Sequence, residues 1–166
     1  MDRKHKSHCP VCLMVTDTAA IEYLYQGLNL KFCSEQCMQR FVANPELYIG
    51  GVRKPSVKYR IKNIKKHRVI YLKRNITDNV ANRICQTLNT MMGIHCINIH
   101  NNKVEITYDL LQATLQQIET QIELVEPCLS LNWFRRMHRA FIHYKEETEL
   151  ENLEQEKKYS CHNPPE

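Results

Sequence analysis

Four cysteines near the amino terminus restrict the fold of this chain more than any other feature. Two residues separate Cys9 from Cys12, three separate Cys33 from Cys37, and twenty lie between the two pairs. This spacing lets two turns converge on one ion, and four thiolates satisfy the tetrahedral preference of Zn²⁺ without leaving a position open. The spacing therefore predicts a closed metal site with these four cysteines as ligands. Cu⁺ and other soft ions also favour thiolates, so the ligand type leaves the metal open.

The composition is that of a folded protein with an excess of metal-ligating side chains. Of the 166 residues, 43% are hydrophobic and 25% are charged, which are ordinary values, whereas 8 cysteines and 8 histidines are many for this length. No apolar run reaches the roughly 20 residues that span a bilayer, and the amino terminus lacks the apolar stretch of a signal peptide. We therefore expect a cytoplasmic protein, in which close cysteine pairs bind metal or remain free, partly buried thiols.

The residues around the cysteine pairs predict a hairpin followed by a helix. Strands are expected at residues 21–25 and 30–32, joined by a turn at residues 26–29. Ser34 is suited to cap a helix that ends at Asn44 and Pro45. About 40 residues arranged in this way bury too little apolar surface to fold without a metal.

This segment resembles the YHS and TRASH group of small metal-binding domains. The resemblance rests on Gly27 and on three stretches, which are 9–14 (CPVCLM), 30–41 (LKFCSEQCMQRF) and 44–48 (NPELY). It implies a four-cysteine zinc knuckle of treble-clef-like fold. Many members have a small or acidic residue in place of Cys9 and a glycine in place of Leu13. Because Cys9 completes a set of four thiolates, its presence favours a tight, closed site over a transient trafficking role.

A strongly basic segment follows this domain. Between Glu46 and Asp78 there are ten lysines and arginines and no acidic residue. A solvated linker over residues 51–67 accounts for such a run, and a surface for nucleic acid or lipid is the alternative. Tyr59 lies within it and is suited to stack on a base.

The pattern from residue 68 to residue 132 predicts the order βαββαβ, which is the ferredoxin-like arrangement. The expected elements are strands at 69–73, 97–99 and 104–108, helices at 78–92 and 111–125, and a short last strand at 128–131.

The same segment is similar to the heavy-metal-associated domain of copper chaperones and heavy-metal transport ATPases. The matching positions include Ile84, Gly93 and residues 106–109. In that alignment Thr77 and Val80 stand where the family has its two metal-binding cysteines. The resemblance therefore implies a fold for this segment and no metal site.

One further helix is expected at residues 132–157, with Phe134, Met137, Phe141 and Tyr144 on one face. Arginines lie near its start and glutamates crowd its end, which is the reverse of what the helix dipole favours. The basic, aromatic start is suited to a membrane surface or a protein partner, and packing on the sheet is the alternative. A flexible tail is expected from residue 158.

The other cysteines and histidines are weaker candidates for metal ligands. We interpret Cys85 and Cys128 as small apolar residues, and Cys96 and His100 stand about 13 Å apart along one strand, too far to share an ion. His8 is an alternative to Cys9. The remaining candidates lie near the termini and are His5, Cys161 and His162.

These patterns predict an α+β protein with four parts. The parts are a YHS/TRASH-like metal-binding domain (1–50), a basic linker (51–67), a ferredoxin-like, heavy-metal-associated-like domain (68–132) and a carboxy-terminal helix with a tail (133–166). No enzyme is expected, because the sequence has no set of nucleophile, base and orienting residue and no phosphate loop. The expected function is that of a metal-binding accessory or regulatory protein of zinc or copper homeostasis or transport, with a heavy-metal transporter as partner. A zinc-stabilised nucleic-acid-binding or transcription-associated module is the alternative.

Overall fold

The computed structural model describes residues 7–16, 20–50, 55–127, 129 and 133–159. These residues confirm the predicted mixture of helix and sheet. The chain divides into two compact units, of which the first comprises Met1–Lys62 and Glu146–Glu166 and the second comprises Asn63–Lys145. The last helix contributes residues to both.

The first unit contains a hairpin and a helix. Strand β1 (Ile21–Tyr25) pairs antiparallel with β2 (Leu28–Phe32). The turn is two residues long, shorter than expected, and both Gln26 and Gly27 have positive φ (47° and 81°). Two such residues match the twist of the strands, so the hairpin closes without a longer loop. Helix α1 (Glu35–Ala43) then begins immediately after Ser34.

An aromatic cluster around Phe41 forms the core of the first unit. Phe41 is fully buried on α1, and its ring centroid lies 5.2 Å from Phe32, 5.3 Å from Tyr25, 6.2 Å from Tyr48 and 6.3 Å from Tyr23. Edge-to-face and tilted pairs of this kind are favourable beyond the area that they bury. The cluster therefore holds the hairpin against α1 at the junction that carries Cys33.

The acidic end of the last helix, α5 (Trp133–Tyr159), also belongs to the first unit. The Glu154 carboxylate accepts hydrogen bonds from the backbone N–H of Glu46 (3.0 Å) and from Asn44 Nδ2 (3.3 Å). Asn44 Oδ1 in turn accepts a hydrogen bond from the buried guanidinium of Arg40. These contacts account for glutamates at a helix end where the dipole disfavours them.

The second unit is built on a three-stranded antiparallel sheet. Strands β3 (Lys65–Tyr71), β4 (Ile94–His100) and β5 (Lys103–Asp109) lie in the order β3-β5-β4. Helices α3 (Asp78–Asn89) and α4 (Leu115–Val125) complete the unit. Its core consists of apolar side chains from both helices and the sheet, namely Ile70, Ile84, Leu88, Val104, Ile106, Tyr108, Ile118 and Ile122.

Strand β3 begins earlier than expected. We predicted a start at Val69, but the strand begins at Lys65, and a short helix α2 (Val57–Arg60) precedes it. Part of the segment expected as a linker is therefore regular structure. The side chains of Lys65 and His67 are exposed, so the strand has no apolar alternation at its start. The Asp109 Oδ1 atom accepts a hydrogen bond from the backbone N–H of Ile64 and anchors this end of the strand.

Helix α4 begins four residues later than expected. Thr114 caps it, with its hydroxyl accepting from the Gln117 N–H while the Gln117 side chain accepts from the Thr114 N–H. The expected first residue, Leu111, lies in the preceding turn, where it is buried and donates its N–H to Asp109 Oδ1. Leu111 is therefore buried as part of this turn and not as part of the helix, although its spacing matches the helical period.

The predicted last strand at 128–131 lies largely outside the described residues. Leu129, which is described, forms an isolated antiparallel bridge with Leu72. The expected tail also lies outside them beyond residue 159, whereas 158 and 159 belong to α5. Among the described residues, no helix has both the length and the apolar character needed to cross a membrane.

Candidate metal centre

The structure brings the four predicted ligands together. The Sγ atoms of Cys9, Cys12, Cys33 and Cys37 all lie within 4.8 Å of one another. Cys33 Sγ is 3.3 Å from Cys12 Sγ and 3.6 Å from Cys37 Sγ. A disulfide would need about 2.05 Å, whereas sulfurs around one ion with metal–sulfur bonds of about 2.3 Å stand roughly 3.8 Å apart. The donor set therefore fits a single thiophilic ion.

A tight turn presents the first cysteine pair. The Cys9 N–H donates to the Met14 carbonyl and the Leu13 N–H donates to the Cys9 carbonyl, both at 2.9 Å. Leu13 closes this turn with φ at 66°, in the left-handed region that favours glycine. The glycine that similar domains carry at this position is thus explained by the backbone conformation.

Two hydroxyl side chains close the base of the same turn, and the sequence analysis did not identify them. The Thr16 N–H donates to the Ser7 carbonyl at 2.9 Å, and the two hydroxyl oxygens are 2.7 Å apart. His8, between them, forms an isolated bridge with Val15 and is exposed. His8 lies outside the four-residue cluster, so Cys9 rather than His8 completes the site.

The end of β2 and the first turn of α1 present the second pair. Cys33 follows the last residue of β2, and Cys37 lies in the first turn of α1. Ser34 Oγ accepts a hydrogen bond from the Cys37 N–H at 3.3 Å, as its predicted capping role requires. A helix amino terminus carries partial positive charge and favours a thiolate there. The helix start therefore positions this pair.

The site is partly closed to solvent. Cys9 and Cys37 are fully buried, and Cys12 and Cys33 are half-buried. Buried thiolates require compensating positive charge or hydrogen bonds. A cation held among four sulfurs supplies that charge, which agrees with the chemistry of the donor set.

The four thiols are not electrostatically equivalent. Hydrogen bonds from Cys12 and Cys37 hold the pKa of the Cys9 thiol well below its usual range. The pKa of Cys37 is raised well above its usual range by the side chains of Cys12 and Cys9 and by burial. For Cys12, hydrogen bonding by Cys37 lowers the pKa, but the side chain of Cys9 and burial outweigh it and raise the pKa to about 12. The thiolate of Cys9 is therefore favoured, and the thiols of Cys12 and Cys37 keep their protons until a cation replaces them.

None of the remaining described candidate ligands belongs to the four-cysteine cluster. Cys85 is half-buried on α3, where burial raises its pKa, and Cys96 and His100 are exposed on β4. Within the described ranges, these residues belong to no cluster of three or more metal-ligating side chains. Four candidates lie outside the described residues, namely His5, Cys128, Cys161 and His162.

Comparison with known proteins supports the assignment of the first unit. The family model of the YHS domain matches residues 8–52, a range that includes all four cysteines and covers less than half of the chain. No curated protein matches the chain, and no solved structure matches it. The family match and the geometry together are consistent with metal binding at the four cysteines.

Proposed function

We propose that this chain is a metal-binding accessory or regulatory protein of heavy-metal homeostasis or transport, with one ion held by Cys9, Cys12, Cys33 and Cys37. The observation that carries the proposal is the convergence of four Sγ atoms within 4.8 Å. Four thiolates suit the tetrahedral coordination of Zn²⁺, and Cu⁺ is the competing soft ion. A closed set of four protein ligands favours a tightly held ion over a rapidly exchanged one.

We propose that the first unit is a treble-clef-like zinc knuckle. A turn carries one cysteine pair, a hairpin follows, and the second pair stands where the hairpin meets α1. We propose this assignment because each pair lies in a turn that is held by backbone hydrogen bonds. The ion would then join these two turns, and its removal would unfold the unit.

We propose a ferredoxin-like, degenerate heavy-metal-associated fold for the second unit. The order β3-β5-β4 with two helices supports this assignment, as does the antiparallel bridge from Leu129 to Leu72, which places the next segment beside the β3 edge. Thr77 and Val80, at the start of α3, offer no thiol. The unit would therefore contact a protein partner, such as a heavy-metal transporter, and would not itself bind an ion.

The proposed role is binding rather than catalysis. With all four sulfurs engaged, the ion would have no position for a substrate or for water. The chain would act by holding its metal and by presenting surfaces to a partner.

Native mass spectrometry of the protein purified under reducing conditions tests the proposal. We expect one ion per chain, loss of that ion in Cys37→Ser, and full occupancy in the matched control Cys85→Ser, which removes a cysteine of the second unit. A Cys37→Ser protein that retains the ion at the same occupancy would contradict the proposed ligand set.

A nucleic-acid-binding module is the second candidate, and one observation favours it. Tyr59 is 75% exposed within the basic segment, beside the exposed cations Arg60 and Lys62. Lys58, by contrast, is buried and donates to the Lys62 carbonyl, so the segment offers fewer free cations than its sequence suggests. Binding through phosphates must weaken linearly in log salt. Undetectable binding to duplex and single-stranded oligonucleotides at low salt would remove this candidate.

A further inference from the structure

The first half of α5 exposes its largest apolar side chains. Five side chains of this half of α5 are more than half exposed, with values from 57% to 74%, and they are Trp133, Phe134, Met137, Phe141 and Tyr144. At about 100° per residue, all five fall within an arc of about 100° around the helix axis. The residues thus form one continuous apolar stripe rather than scattered exposed positions.

The opposite face of this helix, which contacts the rest of the second unit, is cationic. The Arg135 guanidinium lies 4.0 Å from the centroid of the Tyr71 ring. Arg139 Nε and His143 Nε2 lie 3.5 Å and 3.1 Å from the carboxylate of Glu119, which is buried on α4. The helix therefore packs through its charged side chains and leaves the apolar stripe exposed.

Exposed basic side chains flank the apolar stripe on both sides. Residues 133–145 contain four lysines and arginines and no acidic residue. Arg136 lies about 60° beyond one edge of the stripe, and His138 and Lys145 lie within about 40° of the other edge. All three are exposed. An apolar strip with basic side chains on both sides is the pattern of a helix that lies in a membrane interface.

We propose that this stripe, formed by residues 133–144 of α5, docks on the surface of an anionic phospholipid bilayer. The aromatic side chains would enter the boundary between headgroups and acyl chains, where Trp and Tyr are favoured. Arg136 and Lys145 would reach outward to lipid phosphates and carboxylates, since long cationic side chains keep their charge at the polar level. The helix would lie along the membrane plane and would not cross it.

The size and charge of the stripe favour a bilayer over a second copy of the chain. The five side chains expose roughly 500–700 Å² in total, whereas a stable protein interface buries about 800 Å² on each partner. Pairing two stripes would also bring the Arg136 and Lys145 rows of both copies close together, and like charges at an interface are unfavourable. Anionic lipid supplies the opposite charge on both sides of the stripe.

Trp133 is the sole tryptophan of the chain and lies in the stripe, so intrinsic fluorescence reports on docking directly. The experiment adds vesicles of phosphatidylcholine with about one-third phosphatidylserine, or of phosphatidylcholine alone, to the whole chain purified under reducing conditions, at whatever metal content it then has. We expect a blue shift of Trp133 emission and co-sedimentation with the anionic vesicles, and neither effect with the neutral ones. Brominated acyl chains should quench the emission.

Two variants and a matched control locate the contact. Phe141→Ser should weaken partition onto anionic vesicles about tenfold, and Arg136→Glu should weaken it and reduce its salt dependence. Leu124→Ser, which changes a side chain that is 74% exposed on α4, should leave partition unchanged. Circular dichroism and metal content confirm that each variant is folded.

Two results would overturn the proposal. One is an emission spectrum that anionic vesicles do not change. The other is a blue shift without vesicles that grows with protein concentration and accompanies a doubled mass in sedimentation, because that result would assign the stripe to a second copy. Neither of these two results depends on metal occupancy. Failure of the membrane-docking proposal can therefore be distinguished from failure of the proposed metal site.

Discussion

Metal binding at the four-cysteine site should release protons, and the affinity should therefore depend steeply on pH. In the metal-free chain the pKa of Cys12 is raised to about 12, and that of Cys37 is also raised well above its usual range. Both thiols therefore carry protons at neutral pH, whereas the pKa of Cys9 is held low. A metal ion binds thiolates, so its binding must displace at least the protons of Cys12 and Cys37.

The magnitude follows from this proton count. Each displaced proton raises the affinity about tenfold per pH unit, so two protons give about a hundredfold gain for each unit of increase near neutral pH. The bound cation keeps these thiols deprotonated, so the metal-loaded fold is stable at high pH. Its stability is lost as the pH falls, because protons then compete with the ion for the sulfurs.

Isothermal titration calorimetry with Zn²⁺ in buffers of different ionisation enthalpy measures the protons released. We expect at least two protons per ion in the wild-type chain, whereas Cys37→Ser should bind Zn²⁺ too weakly to give a measurable heat. The Cys85→Ser control should release as many as the wild type. An affinity that stays constant between about pH 6 and 8 would refute the reasoning.

Three further predictions concern stability and are measured by urea unfolding of the metal-loaded protein. Gly93→Ala should lower the free energy of unfolding by about 2–4 kcal/mol, because φ is +86° and the new Cβ would lie 2.6 Å from another side-chain carbon. Gly27→Ala is the matched control: φ is +81° but the space around it is open, so it should cost only about 1 kcal/mol. Equal losses in the two variants would contradict the steric argument. Phe41→Ala should cost about 3–5 kcal/mol by emptying the aromatic core of the first unit; a loss below about 1 kcal/mol would show that the cluster is not packed as described. Glu154→Gln should cost about 1–2 kcal/mol by weakening the hydrogen bonds from Asn44 and from the Glu46 N–H, within the first unit. The exposed control Glu151→Gln should change stability by less than about 0.5 kcal/mol.

The meeting of the four cysteines could be predicted because local rules set most of it. The close spacing of each pair requires a turn, and the hairpin returns the chain so that the second pair reaches the first. Ser34 carries a recognisable capping signal, and it does cap α1. The contact between Ser7 and Thr16 could not be predicted in this way, since two hydroxyl residues nine positions apart form no recognisable motif.

Element boundaries were less predictable where burial has a cause other than periodicity. Leu111 continues the apolar spacing of α4, yet it is buried in a turn held by the Asp109 carboxylate. The capping pair Thr114 and Gln117 was the signal that marks the true start. At β3 the first four residues (65–68) are polar on both faces, so no apolar alternation marks where the strand begins.

The orientation of α5 could not be predicted from its own sequence. Its apolar period defines a face, but the period does not say whether that face is covered. The deciding residue lies on another helix: buried Glu119 on α4 faces Arg139 and His143, which turns the cationic side of α5 inward. Only the packed structure shows that the aromatic side is exposed.

X-ray absorption at the edge of the bound metal tests the central claim most directly. We predict a first shell of four sulfur atoms at about 2.3 Å around one Zn²⁺ ion per chain, in protein isolated under reducing conditions. A first shell with nitrogen or oxygen ligands, or fewer than four sulfurs, would contradict a closed site formed by Cys9, Cys12, Cys33 and Cys37.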